Sequence, residues 1–153
     1  MNFDKESLAD QLWKSYLSGK PHLKQTGDRR HIDLWIRYKY RCGYCGAPLL
    51  SDIIKFYSSQ LDHLLPKADY KYPHLKDIPE NWVLSCFCCN QIKRTFDPWE
   101  KLMGKIKPPE PSDIIANREA LLQECRKYIN EKKEIWIATL EKVITITGDG
   151  NQT

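Results

Sequence analysis

The chain has 153 residues, 41% of them hydrophobic, and few glycines, which excludes a disordered polymer and points to one domain with a modest core. Its net charge of +4 is mildly basic and permits nucleic-acid binding without requiring it. No run approaches the ~18 apolar residues of a membrane span, and the start Met1-Asn-Phe-Asp-Lys-Glu6 lacks a signal pattern, so the expected setting is cytoplasmic, away from membranes.

Residues 4–17 have the spacing of an amphipathic helix, with Leu8, Leu12, Trp13, Tyr16 and Leu17 recurring and Gly19 and Pro21 behind it. Asp28 is the expected N-cap of a second helix, about 29–40, whose apolar side holds Ile32, Trp35 and Ile36. The other side carries Arg29, Arg30, Arg37 and Lys39, with Arg41 just beyond. It is either a solvated face or a surface for phosphates. Arg41-Cys-Gly-Tyr-Cys-Gly46 reads as a tight turn whose glycines let backbone N–H groups approach the sulfurs.

Residues 49–58 fit either a short helix or a strand. Ser59 to Leu64 has strand character, and Pro66 breaks it. Residues 67–80 form a polar loop interrupted by Tyr70, Tyr72, Pro73 and Pro79. Trp82, Val83 and Leu84 form a second strand, and a helix is expected from near Cys89 to about Thr95. Asp97-Pro-Trp99 punctuates the chain, and Lys107-Pro-Pro-Glu-Pro111 reads as a semi-rigid linker.

Ser112 is the expected N-cap of a long helix, about 113–143. Ile115, Leu122, Ile129, Trp136 and Val143 repeat every seven residues, and Ile114, Leu121, Tyr128 and Ile135 widen the stripe. So broad a face suits docking on the core. A homodimer or a regulatory protein partner is the sharper alternative. The resulting division is a helical part over 1–40, a core over 41–96, a Pro-rich linker over 97–111 and the long helix over 112–145.

Six cysteines are present, and four form two pairs, Cys42-x-x-Cys45 and Cys86-x-x-Cys89. A two-residue spacer lets two thiolates of one turn reach the same ion, and two such turns complete a tetrahedral zinc site. Four thiolates leave no open position, so this zinc is structural rather than catalytic. Cys88 lacks the matching spacing, and Cys125 reads as a buried thiol. The interval between the pairs carries Asp62, His63 and Asn81, and Asn90 follows Cys89 directly. His22, His31 and His74 lack comparable neighbours.

Arg41-Cys-Gly-Tyr-Cys-Gly46, Leu61-Asp-His-Leu-Leu-Pro-Lys67 and Asn81-Trp-Val-Leu-Ser-Cys-Phe-Cys-Cys-Asn-Gln-Ile-Lys93 together resemble the HNH endonucleases, over about residues 35–95. The motif is also similar to that of phage Holliday-junction resolvases. The resemblance implies an α+β fold with a small ββα-metal core and a DNA endonuclease activity that leaves 5′-phosphate and 3′-hydroxyl ends. It implies that His63 is the general base, that Asp62 and Asn90 hold a catalytic divalent cation, and that Asn81 fixes the loop that aims the imidazole. The family often has histidine where this chain has Asn90. An amide oxygen is a hard ligand that suits Mg²⁺ or Mn²⁺. Lys67, Lys93 and Arg94, with Arg37 and Arg41, are the expected phosphate contacts. Such small nucleases often serve phage, mobile or defence systems. The rival readings are a zinc-stabilised nucleic-acid-binding module without catalysis and a structure-selective junction resolvase.

Overall fold

The structure, a computed structural model, describes residues 14, 29–67, 71–105 and 107–147. The expected helix over 4–17 lies outside them, apart from Lys14, which is helical. Helix α1, Arg29–Arg37, buries Ile32, Leu34 and Trp35. It stops short of residue 40 because Lys39 and Tyr40 adopt left-handed φ of 51° and 59°. That reversal feeds the chain into the Cys42–Gly46 turn, which an isolated bridge between Arg41 and Pro48 closes.

The ambiguous 49–58 segment contains helix α2, Ile53–Tyr57, capped by Asp52, whose Oδ1 accepts the Lys55 N–H at 2.8 Å. Strand β1, Gln60–His63, pairs antiparallel with β2, Trp82–Ser85, in the register Gln60↔Ser85, Leu61↔Leu84, Asp62↔Val83 and His63↔Trp82. The polar loop between them holds two 3-10 turns, Pro73–Leu75 and Pro79–Asn81.

Helix α3, Phe87–Lys93, starts before Cys89 because Cys86 is its cap, with its sulfur accepting the Cys89 N–H at 3.4 Å. The interval 97–111, read from sequence as linker, contains a helix. Asp97 Oδ1 accepts the N–H groups of Trp99 and Glu100, and Pro98 sits at the first turn of α4, Pro98–Met103. The prolines of 107–111 are held at one point, where His74 Nε2 lies 3.0 Å from the Pro109 carbonyl oxygen.

Helix α5, Pro111–Thr147, is 37 residues long. Its first half buries Ile114, Leu121, Leu122, Cys125 and Ile129. Ile115, expected in the stripe, is 60% exposed, because the core-facing row runs through Ile114. Beyond Ile129 the helix leaves the core, and Ile135, Trp136, Ile137, Leu140, Val143 and Ile144 lie exposed. The fold is α+β: a two-stranded sheet with α3 on it, a four-cysteine cluster and a long C-terminal helix. Among the described residues, no helix is long and apolar enough to cross a membrane.

Candidate active site and four-cysteine cluster

The two Cys-x-x-Cys turns meet. The sulfurs of Cys42, Cys45, Cys86 and Cys89 all lie within 4.8 Å of one another, while Cys88 is exposed and Cys125 is buried elsewhere. The turns are brought together by the sheet. Gly43 N–H donates to the Leu84 carbonyl at 2.8 Å, so the first turn hangs on β2, the strand that leads into the second. Gly43 must be glycine. A Cβ there would come within 2.5 Å of the Tyr38 ring and 2.8 Å of Val83. From the other side, Arg126 of α5 grips the Gly43 carbonyl with Nε at 3.2 Å and Nη2 at 3.0 Å.

Cys42 hydrogen-bonds to Cys45 and so holds it below the usual thiol range, and Cys42 also lowers Cys86, to about 7. Cys42 and Cys89 are pushed up in exchange, chiefly by Cys45 and Cys42 respectively. Four sulfurs this close can all be thiolates only around a cation, and two turns of this geometry provide four soft ligands.

Asp62 and Asn90 share one face. Alternation along β1 puts Gln60 and Asp62 on the same side, toward α3. There the Asn90 Nδ2 donates to Gln60 Oε1, which leaves the Asn90 carbonyl oxygen for another partner. Asp62 is buried, and its Oδ2 accepts the Tyr44 hydroxyl at 2.6 Å. Lys93, one helical turn after Asn90, lies 3.4 Å from the same oxygen and donates to the His63 carbonyl at 2.6 Å.

His63 points to the other side of the strand. Its Nε2 lies 2.9 Å from the Lys76 carbonyl oxygen, which also accepts the Trp82 indole N–H at 3.0 Å. A carbonyl only accepts, so Nε2 carries the proton and Nδ1 keeps its lone pair. Asn81 is 1% exposed and ties the loops together. Its Oδ1 accepts the Leu65 N–H at 2.8 Å, and its Nδ2 donates to the carbonyls of Leu65 and Leu75 at 3.3 and 3.1 Å. Its backbone carbonyl takes the Leu64 N–H at 2.7 Å. Leu64 and Leu65, just after His63, and Leu75, just before Lys76, are thus all held by Asn81.

Residues 42–96 match the sequence profile of the family described as HNH endonuclease. The matched segment holds both cysteine pairs together with Asp62, His63, Asn81 and Asn90. The chain is also 31% identical, over 108 residues and 66% of its length, to the CRISPR-associated endonuclease Cas9 of Corynebacterium diphtheriae. It spans only 9% of that protein. No solved structure matches it.

The surroundings of His63 are electrostatically uneven. Burial holds the His63 imidazole below its ordinary 6.5; the Lys76 carbonyl and Asp62 pull it up, and Lys67 and Lys93 push it down. At neutral pH it is a neutral base. Burial also pushes the Tyr44 hydroxyl well above 10, with Asp62 adding to it, so that hydroxyl remains a donor.

The expected phosphate contacts divide. Lys67, Arg37, Arg41 and Arg94 are exposed. Arg37 donates to the Pro79 carbonyl at 2.7 Å and Arg41 to the Gly46 carbonyl at 3.0 Å. Lys93 departs from expectation. It is 1% exposed, because its position on α3 faces β1, and its ammonium is spent inside the protein rather than on its surface. Tyr44, Arg118 and Arg126 escaped the sequence reading. Arg118 clamps the second strand by donating to the carbonyls of Glu80 at 3.1 Å and Trp82 at 3.2 Å and to the Tyr38 hydroxyl. All three act through tertiary contacts that no local spacing marks.

Proposed function

We propose that the chain is a metal-dependent endonuclease that hydrolyses phosphodiester bonds of DNA. His63 is the general base, and one divalent cation, Mg²⁺ or Mn²⁺, sits on Asp62 and Asn90. The observation that carries this reading is the placement of His63: its Nε2 is held 2.9 Å from the Lys76 carbonyl oxygen, which leaves Nδ1 to take a proton, and burial keeps the imidazole below its ordinary 6.5. Asp62 and Asn90 add a carboxylate and an amide oxygen from the other side of β1, which ends at His63, a hard-ligand pair that leaves most coordination positions open.

In this mechanism Nδ1 removes a proton from water as its oxygen bonds to phosphorus. The P–O3′ bond breaks, the leaving oxygen takes up a proton from solvent water, and the ends carry 5′-phosphate and 3′-hydroxyl. A divalent cation held by Asp62 and Asn90 would polarise the phosphate and stabilise the charge on the leaving oxygen. Asn81 keeps the histidine's loop in register. Zinc on Cys42, Cys45, Cys86 and Cys89 is structural and sets where α3, and so Asn90, begins. Lys67, Arg94, Arg37 and Arg41 contact phosphates and position the strand without reading sequence.

The exposed apolar stretch of α5 after Ile129 supports a second copy of the chain or a regulatory protein as partner. The likeness to a CRISPR-associated protein supports a defence setting. Plasmid and single-stranded DNA incubated with Mg²⁺, Mn²⁺ or EDTA test the activity. Nicked or linear product should form with either metal, vanish with EDTA and vanish in Asp62→Asn. DNA left intact by wild type under every metal returns the chain to the class of zinc-stabilised binding modules.

A further inference from the structure

The spacer between the first two cysteines does more than set their spacing. Tyr44 lies inside the Cys42–Cys45 turn and is 6% exposed, yet its hydroxyl crosses to the neighbouring strand and donates to Asp62 Oδ2 at 2.6 Å. The turn that carries it is fixed on both sides, by Gly43 N–H on the Leu84 carbonyl and by Arg126 on the Gly43 carbonyl. The ring therefore approaches Asp62 from a rigid mount.

Both contacts of the Asp62 carboxylate fall on the same oxygen, Oδ2. They are unequal. The Tyr44 hydroxyl is at 2.6 Å, whereas the Lys93 ammonium stands off at 3.4 Å and makes its shorter bond, 2.6 Å, to the His63 carbonyl. Tyr44 therefore sets the angle of the carboxylate, and both donors engage Oδ2 rather than Oδ1. Without the hydroxyl, nothing holds Oδ2 off the lysine. The carboxylate would swing into a tighter ion pair with Lys93 and withdraw from a cation shared with Asn90.

We propose that Tyr44 is a positioning residue for the cation site: from within the zinc-binding turn, its hydroxyl holds Asp62 so that Oδ1 is presented to the divalent cation. This rests on the reading that Asp62 holds that cation. It gives the four-cysteine cluster a second route to the site. One route is covalent, from Cys89 to Asn90. The other is the hydrogen bond from the opposite turn to Asp62. Zinc loss would then disturb both ligands of the second metal.

Tyr44→Phe removes one oxygen and keeps the ring. Mn²⁺ affinity, read by electron paramagnetic resonance on zinc-loaded protein, should fall about 10-fold or more, the size typical of a lost outer-shell partner. Half-saturating Mg²⁺ for cleavage should rise by a similar factor while the rate at saturating Mg²⁺ stays within a few-fold of wild type. Tyr38→Phe, which removes a hydroxyl bonded to Arg118 rather than to Asp62, should leave Mn²⁺ affinity unchanged. A purely structural Tyr44 would lower the melting temperature of Tyr44→Phe with Mn²⁺ affinity intact, and that result overturns the proposal.

Asp62→Asn separates the two levels. If wild type binds Mn²⁺ and Asp62→Asn binds it equally well, the cation reading falls and the role of Tyr44 falls with it. If Asp62→Asn loses the ion and Tyr44→Phe does not, only the role of Tyr44 fails. Should Tyr44→Phe not fold, wild type with labelled tyrosine decides: Mn²⁺ should broaden the Tyr44 ring signals, and Asp62→Asn should abolish that broadening. Unbroadened Tyr44 signals at saturating Mn²⁺ overturn the proposal.

Discussion

Lys93 joins α3 to β1 from the inside: its ammonium lies 3.4 Å from Asp62 Oδ2 and 2.6 Å from the His63 carbonyl oxygen, with its side chain fully buried. One lysine thus touches both residues of the Asp-His pair. Lys93→Met keeps the chain length and removes the charge, which leaves the Asp62 carboxylate buried without its cation. Chemical denaturation should show a loss of about 3–5 kcal/mol. The salt dependence of DNA binding should not change, since a buried lysine releases no counterions. Wild-type stability, or a slope reduced by about one unit, would place Lys93 on the surface instead.

Gly43→Ala tests the close approach of the first cysteine turn to the sheet. The added methyl would meet the Tyr38 ring at 2.5 Å and Val83 at 2.8 Å, and both neighbours belong to the packed core. Overpacking of this kind costs about 1–3 kcal/mol. Thermal melting should fall accordingly, and zinc should exchange faster with a chelator. A variant with unchanged melting and unchanged zinc exchange would show that the turn does not sit against Val83.

These two predictions mark the limit of what the sequence reveals. Cys42, Cys45, Cys86 and Cys89 are legible because a two-residue spacer lets each pair reach one ion, whereas Asp62, His63, Asn81 and Asn90 stand out through the resemblance of their motifs to the HNH endonucleases. Both strands are legible because Pro66 bounds the first run and Trp82-Val83-Leu84 is a short apolar run after the polar loop. Lys93 is not legible: three positions after Asn90, it looks like any basic residue near a nuclease site, and only the docking of α3 on β1 shows that it points inward. Helix α4 was hidden because Pro98 and the prolines after Met103 read as linker, although Asp97 before Pro98 is a helix start. The exposed end of α5 follows the same heptads as its buried half, so periodicity alone cannot say where the core stops.

Burial keeps the His63 imidazole below its ordinary 6.5 in the metal-free protein. Nitrogen-detected magnetic resonance should find a midpoint under 6.5, with Nε2 protonated and Nδ1 bare above it. The unfolded chain then binds more protons in the window below 6.5. Stability is full above that pH and declines as pH falls through the window to the folded midpoint. A midpoint above 6.5, or a proton on Nδ1, contradicts the assigned geometry.

Arg94 closes α3 at φ 43°, a left-handed conformation that side chains resist. Relief of about 1–3 kcal/mol of strain in Arg94→Gly is offset in part by the greater freedom of glycine in the unfolded chain. The variant should melt no lower than wild type, while its DNA affinity weakens and loses about one unit of salt slope because Arg94 is exposed. Full affinity with an unchanged slope would remove Arg94 from the phosphate contacts.

In the proposed mechanism His63 takes the proton from water in a metal-dependent cut. Its most direct test is the single-turnover cleavage rate of His63→Ala beside wild type, both fully zinc-loaded, at saturating Mg²⁺. The rate should be lower by about 10²–10⁴-fold with DNA affinity and zinc content unchanged. A variant that cuts at the wild-type rate, or a wild type that cuts equally in EDTA, would contradict it.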